Sequence, residues 1–419
     1  MSTVSRPTNI VIIGGGIIGC TTAYYLSHHL SYTAEETRIT VIEASIHGPA
    51  QGASGKAGGL VAKWAYPKEL ASIAFAEHVK LAEKHDGENR WGWRYVGCGS
   101  WEGNGDEPGS QEASERAEGI KGGKSLEKTV GLEEYEKPVR EAARRSKGLP
   151  DDLLWVKEGL TDNYSPMAKP GDTAQVHPYL FTTSMATLAK EEGVRFVRGK
   201  ALSIHYGEGR VTGVEYEDKT SVDRLKQLIT ASHVVLAAGA WSPQLLASLP
   251  IEATRAHSVT ILPRPGVAIA PYVLFTEISV PLPRGGRIKA SPEIYARPDG
   301  EVYACGPGDD SPLPDCVDEV EVSEAACNTV YEHVASISKE LKEGEITKRQ
   351  ACFLPTVSTG GGPIVGEAVQ LAKGLVIATG HTCWGICNAP GTALAVSELI
   401  MEGQIRCGNL RSLYPARFL

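Results

Sequence analysis

Apolar residues run without a polar break through residues 10–13, resume over 17–26 after a glycine cluster, and return over 38–43. Judged by length and β-branching, these are a buried strand, a buried helix and a second buried strand, forming one strand–helix–strand unit. Helical spacing recurs over 71–84 and 181–191. VRFVRG (194–199) and the alternating ALSIHY and RVTGVEYE predict strands. HVVLAAGAW (233–241) predicts a fully buried strand that ends in small residues. From 262 to 314 proline is frequent and the pattern strand-like, and Pro298-Asp299-Gly300 between two apolar runs predicts a hairpin. A helix is predicted over 324–341. GLVIATGH then predicts another buried strand, followed by a helix over 390–401 that Pro390 opens. Buried strands at both ends and in the middle imply a domain assembled from discontinuous segments. The tract GPAQGASGKAGGL (48–60) is too rich in glycine and small residues for a packed element, so it is a loop approaching something closely. Residues 102–128 hold few large apolar side chains and predict a mobile surface excursion.

At 419 residues the chain has room for two or three domains of ~150 residues each. A hydrophobic share of 42% with 22% charged residues excludes a disordered or fibrous chain. The net charge of −8, without a long basic run, argues against nucleic-acid or anionic-membrane partners. None of the nine cysteines forms a CxxC pair, and the C-x3-C spacing of Cys383 and Cys387 suits neither a zinc knuckle nor a dithiol site, so no metal site is expected. The cysteines read as reduced thiols. The start, MSTVSRPTN, lacks a basic-then-apolar leader, no apolar run reaches the ~18 residues of a spanning helix, and PARFL is not a peroxisomal address. These features predict a cytoplasmic protein.

IVIIGGGIIGC sets Gly14-x-Gly16-x-x-Gly19 between the first strand and the first helix. In such a turn the first glycine bends the chain, the second admits a pyrophosphate to the helix N-terminus, and the third lets helix and strand pack. Glu43, at the end of the second strand, suits a ribose diol and disfavours a 2′-phosphate. NAD and FAD share this fingerprint. Two features favour FAD: Ala238 and Gly239 let a second backbone segment lie against the cofactor, and the last strand, ending in Gly380-His381, leads to a helix N-terminus able to stabilise charge on a reduced ring.

With these motifs the chain resembles the D-amino acid oxidase and glycine oxidase family of flavoproteins over nearly its whole length, and within it a fungal oxidoreductase branch. The resemblance rests on IVIIGGGIIGC with Glu43, GASGKAGGL, VVLAAGAWS, YARPDGEVYACG, PTVSTGGGPIVGE and GLVIATGH…GI…APGTA, in family order. It implies an α/β fold in which a Rossmann-type FAD-binding domain (7–95, 170–245 and 350–419) is interleaved with a mixed β-sheet substrate domain (96–169 and 246–349). It implies two-electron oxidation of a C–N bond of a small-molecule amine, with oxygen or another electron acceptor. Gly14, Gly16 and Gly19, with Ile17 and Ile18, would meet the pyrophosphate. Glu43 and Ala44 would meet the adenosine ribose, and Ala201 would lie near adenine. Ser54, Gly55, Gly58, Gly59 and Leu60 would border pyrophosphate and flavin. Ala238, Gly239 and Trp241 would flank the dinucleotide. Gly362, Pro363 and Gly366, then Gly380, His381, Trp384, Gly385 and Ile386, would border the ribityl chain and ring.

The departures from the family pattern bear on the substrate. Glycine oxidase-like members carry an Arg directly before the Pro of one motif and another in the loop after the last strand; Leu354 and Cys383 stand there in this chain. Neutral side chains cannot clamp an α-carboxylate bidentately. Arg297, Arg349 or Lys63 are the cations able to act in their place. The strand Tyr303-Ala304-Cys305-Gly306 also lacks the Lys that the sarcosine oxidase branch sets over the flavin. Cys352 lies near the position where that branch joins flavin covalently; non-covalent FAD is the reading taken, with Cys352 as the alternative attachment point. Trp384 and Trp64, with Tyr66, are candidate pocket walls, and His381 is a candidate hydrogen-bond partner of flavin or substrate. The main expectation is an FAD-dependent amine oxidoreductase; the alternative is a catalytically weak flavin-binding regulatory or interaction protein.

Overall fold

The computed structural model describes residues 8–106, 146–282 and 285–419. The expected opening unit forms as the strand Thr8–Ile13, the helix Ile17–Ser27 and the strand Thr37–Glu43. Its uninterrupted apolar run has a structural cause. Ile10 and Ile12 enter one core cluster, while Val11 and Ile13 enter another on the opposite face of the sheet. Five parallel strands follow one another in space: Arg195–Gly207, Thr37–Glu43, Thr8–Ile13, His233–Leu236 and Leu375–Thr379. Antiparallel strands flank them, Arg210–Asp218 and Lys226–Thr230 at one edge and Ile364–Glu367 at the other. The helices Ile17–Ser27, Pro178–Glu191, Gly385–Glu402 and Lys68–Lys84 pack together.

A second eight-stranded sheet is antiparallel except where Tyr272–Pro281 runs parallel to Gly97–Asn104. Its core centres on Trp101, Trp155, Leu274, Ile294 and Ala304. The predicted hairpin is present: Glu293–Ala296 pairs antiparallel with Val302–Asp309 across Pro298-Asp299-Gly300. A short three-stranded sheet is built from Leu60–Ala62, Thr173–Gln175 and Arg94–Tyr95. Among the described residues, no helix is long and apolar enough to cross a membrane.

Several expected boundaries move. The strand Glu345–Val357 crosses the boundary set at 349/350 and pairs along its length with Ile251–Leu262 of the second sheet. VRFVRG and ALSIHY are one strand, Arg195–Gly207, whereas the strand expected over 233–241 stops at Leu236 and becomes a 3-10 turn, Gly239–Gln244. The excursion does not begin at 102. Glu102 to Asn104 close the strand Gly97–Asn104, which Trp101 anchors by donating Nε1–H to Thr161 Oγ1 at 2.9 Å; residues 107–128 lie outside the described residues. The helix expected over 324–341 breaks after Ala335, because extended Ser338 starts a new turn and caps it by accepting the Leu341 N–H.

The last helix starts at Gly385, not at Pro390, which lies inside it. Proline lacks an N–H, so the Ile386 carbonyl four residues back loses its intrahelical donor. His78 replaces that donor: Nε2 donates to Ile386 O at 3.0 Å and lies 3.2 Å from Cys387 O. The imidazole is 1% exposed, and burial lowers its pKa from 6.5 to about 4, so it stays neutral.

His78→Phe should therefore lower stability near neutral pH by ~1–3 kcal/mol, the cost of a buried carbonyl left without a donor. Because the folded-state pKa is depressed, the unfolded chain takes up the proton first. Stability from neutral His78 is then lost as pH falls from 6.5 towards about 4. Denaturant titrations should show the gap between parent and variant narrowing over that window. Equal stability near neutral pH, or a pH-independent gap, would contradict the assignment.

Candidate functional site

The turn from Ile13 into the first helix is shaped by what surrounds its glycines. Gly14 has φ +111°, and a Cβ there would stand 2.4 Å from Ala237 O. Gly19 packs back on the same turn, where a Cβ would stand 1.9 Å from Gly14 O. These two allow close packing of backbone on backbone. Gly16 lines the cleft, and a Cβ there would stand 3.0 Å from Ser54 Oγ. The Ile17 N–H donates to that hydroxyl at 2.8 Å, so the Gly-rich loop caps the helix. Glu43 accepts the Gly15 N–H at 2.6 Å on Oε2 and the Ser45 N–H at 2.7 Å on Oε1. Burial pushes its carboxyl up to about 7, opposed by those backbone bonds.

A cleft begins at this turn and continues between the two large sheets. Its empty space, open mouth included, is about 1580 Å³. One end is lined by Gly14, Gly16, Ile17, Ile18, Glu43, Ala44 and Ala201, the middle by Ser54, Gly58, Ala238, Gly239 and Trp241. Cys352, Leu354, His381 and Cys383 line the rest on one side and Glu293, Tyr295, Tyr303 and Cys305 on the other, while Gly385, where a Cβ would stand 4.0 Å from Ile17 Cγ2, and Ile386 line it beside the first helix. A cleft lined by Gly16 at a helix N-terminus and by the Glu43 carboxyl at the neighbouring strand end fits a dinucleotide.

Other expected residues lie behind the lining. Gly55 and Gly59 fold the loop tightly, since a Cβ would stand 1.9 Å from Ala50 O and 2.0 Å from Val176 O respectively. Leu60 is a core residue. Gly362 and Gly380 abut Val357, Pro363 follows a cis bond, and Gly366 faces Tyr414 and Pro415. Trp384, 4% exposed, packs edge-on against Trp64 at 5.6 Å, and Trp64 donates Nε1–H to Thr173 Oγ1 at 3.0 Å. Both tryptophans support the wall from behind, while Tyr66 is exposed. His381 does line the cleft; its Nε2 bonds Thr392 Oγ1 at 2.9 Å, and burial lowers its pKa to about 3.

The three cations considered for a carboxylate clamp are all placed elsewhere. Arg297, 3% exposed, donates Nη2–H to Ala57 O at 2.6 Å, sits 4.9 Å from the Tyr303 ring centroid and pairs with Glu301. It fastens the Gly-rich loop to the hairpin. Lys63 pairs with Asp172 at 2.6 Å, and Arg349 binds Asn328 Oδ1 on the surface. The cleft's own lysines, Lys56 and Lys200, were missed. Lys56 donates to Ala351 O at 3.0 Å, and burial lowers its pKa. Lys200 pairs with Asp315, in a segment that crosses the ribose end, where Trp241 donates Nε1–H to Pro314 O at 2.8 Å. Glu293, Tyr295, Tyr303 and Cys305 were missed too, although the hairpin's alternation places them on one face. All nine cysteines are free, and no cluster able to hold a metal occurs among the described residues.

Comparison with known proteins follows the same lines. The family model "DAO: FAD dependent oxidoreductase" matches residues 9–399. "Putative oxidoreductase C1F5.03c" of Schizosaccharomyces pombe is 32% identical, covering 98% of this chain and 99% of its own. "Putative oxidoreductase TDA3" of Saccharomyces cerevisiae is 30% identical, covering 97% and 94%. Glycine oxidase from Geobacillus kaustophilus shares the fold with a TM-score of 0.69 at 18% identity, covering 99% of this chain and 100% of that one. L-amino acid deaminase from Proteus vulgaris does so with a TM-score of 0.68 at 18% identity, covering 100% and 99%. The chain belongs to the DAO family of FAD-dependent oxidoreductases.

Proposed function

We propose that this protein, with FAD in the cleft, oxidises the C–N bond of an amine that carries no free α-carboxylate. The observation that carries the reading is the far end of the cleft, where neutral Leu354 and Cys383 stand in the lining, Arg297, Arg349 and Lys63 lie outside it, and the lining's Lys56 is held by Ala351 O. The fold is shared with a glycine oxidase and an L-amino acid deaminase, whose substrates carry a carboxylate beside the reacting C–N bond.

When bound, FAD supplies a two-electron acceptor for a hydride. The chain's own residues bind and orient. Gly16 and Ser54 at the N-terminus of the first helix would border the pyrophosphate, and Glu43 would take the ribose diol. The last helix presents its N-terminus, Gly385 and Ile386, to the cleft, where a positive helix end would stabilise developing negative charge. His381 stays neutral there and positions rather than pairs. Burial raises the Cys352 thiol to about 11, opposed by the charge of Lys56, so thiolate is scarce, which supports FAD held without a covalent bond. Tyr295 and Tyr303, both buried in the lining, would help keep water from that end of the cleft.

Acid denaturation should release FAD into the supernatant; flavin left on the precipitated chain would place Cys352 as an attachment site. Gly16→Glu should abolish flavin binding, since the new carboxylate fills the pyrophosphate position and adds like charge. Cys383→Ala should retain a full complement. Flavin content per mole of protein decides between these outcomes.

Substrate charge is the second test. A buried carboxylate without a partner costs several kcal/mol, roughly 3–5 by analogy with broken buried pairs. Steady-state kcat/KM with a dye acceptor should therefore be at least ~100-fold higher for N-methylglycine esters or amides than for N-methylglycine, glycine or D-alanine. Faster turnover of the free amino acids would identify Lys56 as a carboxylate clamp and overturn the reading.

A further inference from the structure

The segment joining the strand Val302–Asp309 to the helix Glu324–Ala335 carries five acidic residues and no lysine or arginine over 310–322. Both of its ends are fastened to the strand Ile251–Leu262. Arg255 donates Nε–H and Nη2–H to the two oxygens of Asp309, each at 3.1 Å, and buried His257 accepts the Ser323 N–H on Nε2 at 3.0 Å. Between these two feet the segment reaches across to the FAD-binding side. Trp241 holds Pro314 O, and Lys200 pairs with Asp315. The Cys316 thiol lies 3.7 Å from Ala44 O. Asp318 receives two donors, the Ser45 hydroxyl on Oδ1 and the Ile46 N–H on Oδ2, the latter at 3.0 Å.

Asp315, Cys316 and Val317 line the cleft at the end that Glu43, Ala44 and Ala201 also line. Burial and then the charge of Asp318 raise the Glu43 carboxyl, so Asp318 stands close to the ribose position. The ties differ in strength. The Arg255–Asp309 foot is a two-bonded, charge-assisted contact. The ties of the middle end on Asp315 and Asp318, both exposed, where water competes for each bond. The middle is therefore able to lift while the feet hold. We propose that residues 310–322 are a strap over the adenosine half of bound FAD, and that lifting its middle from Ala44, Ser45, Ile46, Lys200 and Trp241 limits the release of the cofactor. This rests on the placement of FAD in the cleft and not on the identity of the substrate.

A ligand under such a strap leaves only as often as the strap lifts. FAD release is then governed by residues outside the glycine turn. The strap also carries its own reporter. Cys316 is 4% exposed and faces the cleft, so a thiol reagent reaches it when the middle lifts. Cys327, 0% exposed, lies beyond the second foot in the helix Glu324–Ala335 and stays covered as long as the feet hold.

The test follows release and lifting together. FAD-loaded protein is mixed with excess 8-chloro-FAD, and the flavin retained by the chain is identified over time. N-ethylmaleimide labelling of Cys316 and Cys327 is read by peptide mass in parallel samples. Asp318→Ala removes two bonds to a carboxylate, so it should speed FAD release at least ~10-fold and Cys316 labelling by the same factor, with Cys327 unchanged. Lys200→Met and Asp315→Asn should each speed release about 2–5-fold, and together no more than either alone, because they break one tie. This pair serves if Asp318→Ala does not fold. Asp310→Asn removes a strap charge outside these ties and should leave release unchanged. The inference is overturned if release ignores the tie substitutions, if it quickens without faster Cys316 labelling, or if Cys316 and Cys327 are labelled at one rate, as in unfolding of the whole unit. A chain that takes up no flavin would sink the placement of FAD and the strap with it. Release and labelling as expected, without dye reduction by any amine, would sink the amine-oxidation reading alone.

Discussion

No side chain can stand between Gly14 and Ala237, and much of the site depends on that close approach. A Cβ on Gly14 would collide with the Ala237 carbonyl, and one on Gly19 with the carbonyl of Gly14 itself. The contact sets the end of the first strand against the end of His233–Leu236 and holds the first helix tightly behind both. Once the backbone is drawn in this far, Gly16 and Ile17 reach the cleft and Glu43 falls beside them. The loop carrying Ser54 and Gly58 then closes over the turn, tied by Ser54 to the first helix and by Arg297 to the second sheet. The hairpin and its Tyr295 ring come with it. One steric constraint in the first strand's turn therefore positions residues almost the whole length of the chain apart.

The strand–helix–strand opening was legible because the first strand is buried on both faces, which leaves residues 10–13 without a polar side chain. The hairpin at Pro298-Asp299-Gly300 was legible for a local reason, turn chemistry. Features that depend on distant partners were not. Pro390 reads as a helix start because the substitute donor, His78, lies 308 positions from the carbonyl it serves. The tryptophans Trp64 and Trp384 read as pocket walls and do meet each other, but behind the lining, where Thr173 holds Trp64. Arg297 reads as a free cation, yet its charge is spent on Ala57, Glu301 and the Tyr303 ring.

The largest miss was the hairpin's inward face. Glu293, Tyr295, Tyr303 and Cys305 alternate in sequence as a strand should, and this periodicity was visible. What no local pattern could show is that the face turns towards the cleft. That depends on the packing of two sheets whose strands are interleaved along the chain. Lys56 was hidden similarly, as one polar residue in a loop whose glycines carried the argument. Glu293 and Lys56, ionisable side chains of the cleft lining beyond the turn, are thus residues that motif comparison passes over. The positions it does inspect, 354 and 383, are neutral.

The central claim is that the bound flavin is reduced by an amine, not merely held. Anaerobic stopped-flow mixing of the FAD-loaded protein with secondary and tertiary amines, watched at the flavin absorption band, tests it without any assumption about the electron acceptor. The account predicts single-turnover bleaching whose rate saturates with the concentration of an amine lacking a carboxylate. Tight FAD binding with no bleaching by any amine would contradict it and would make this a flavin-binding scaffold.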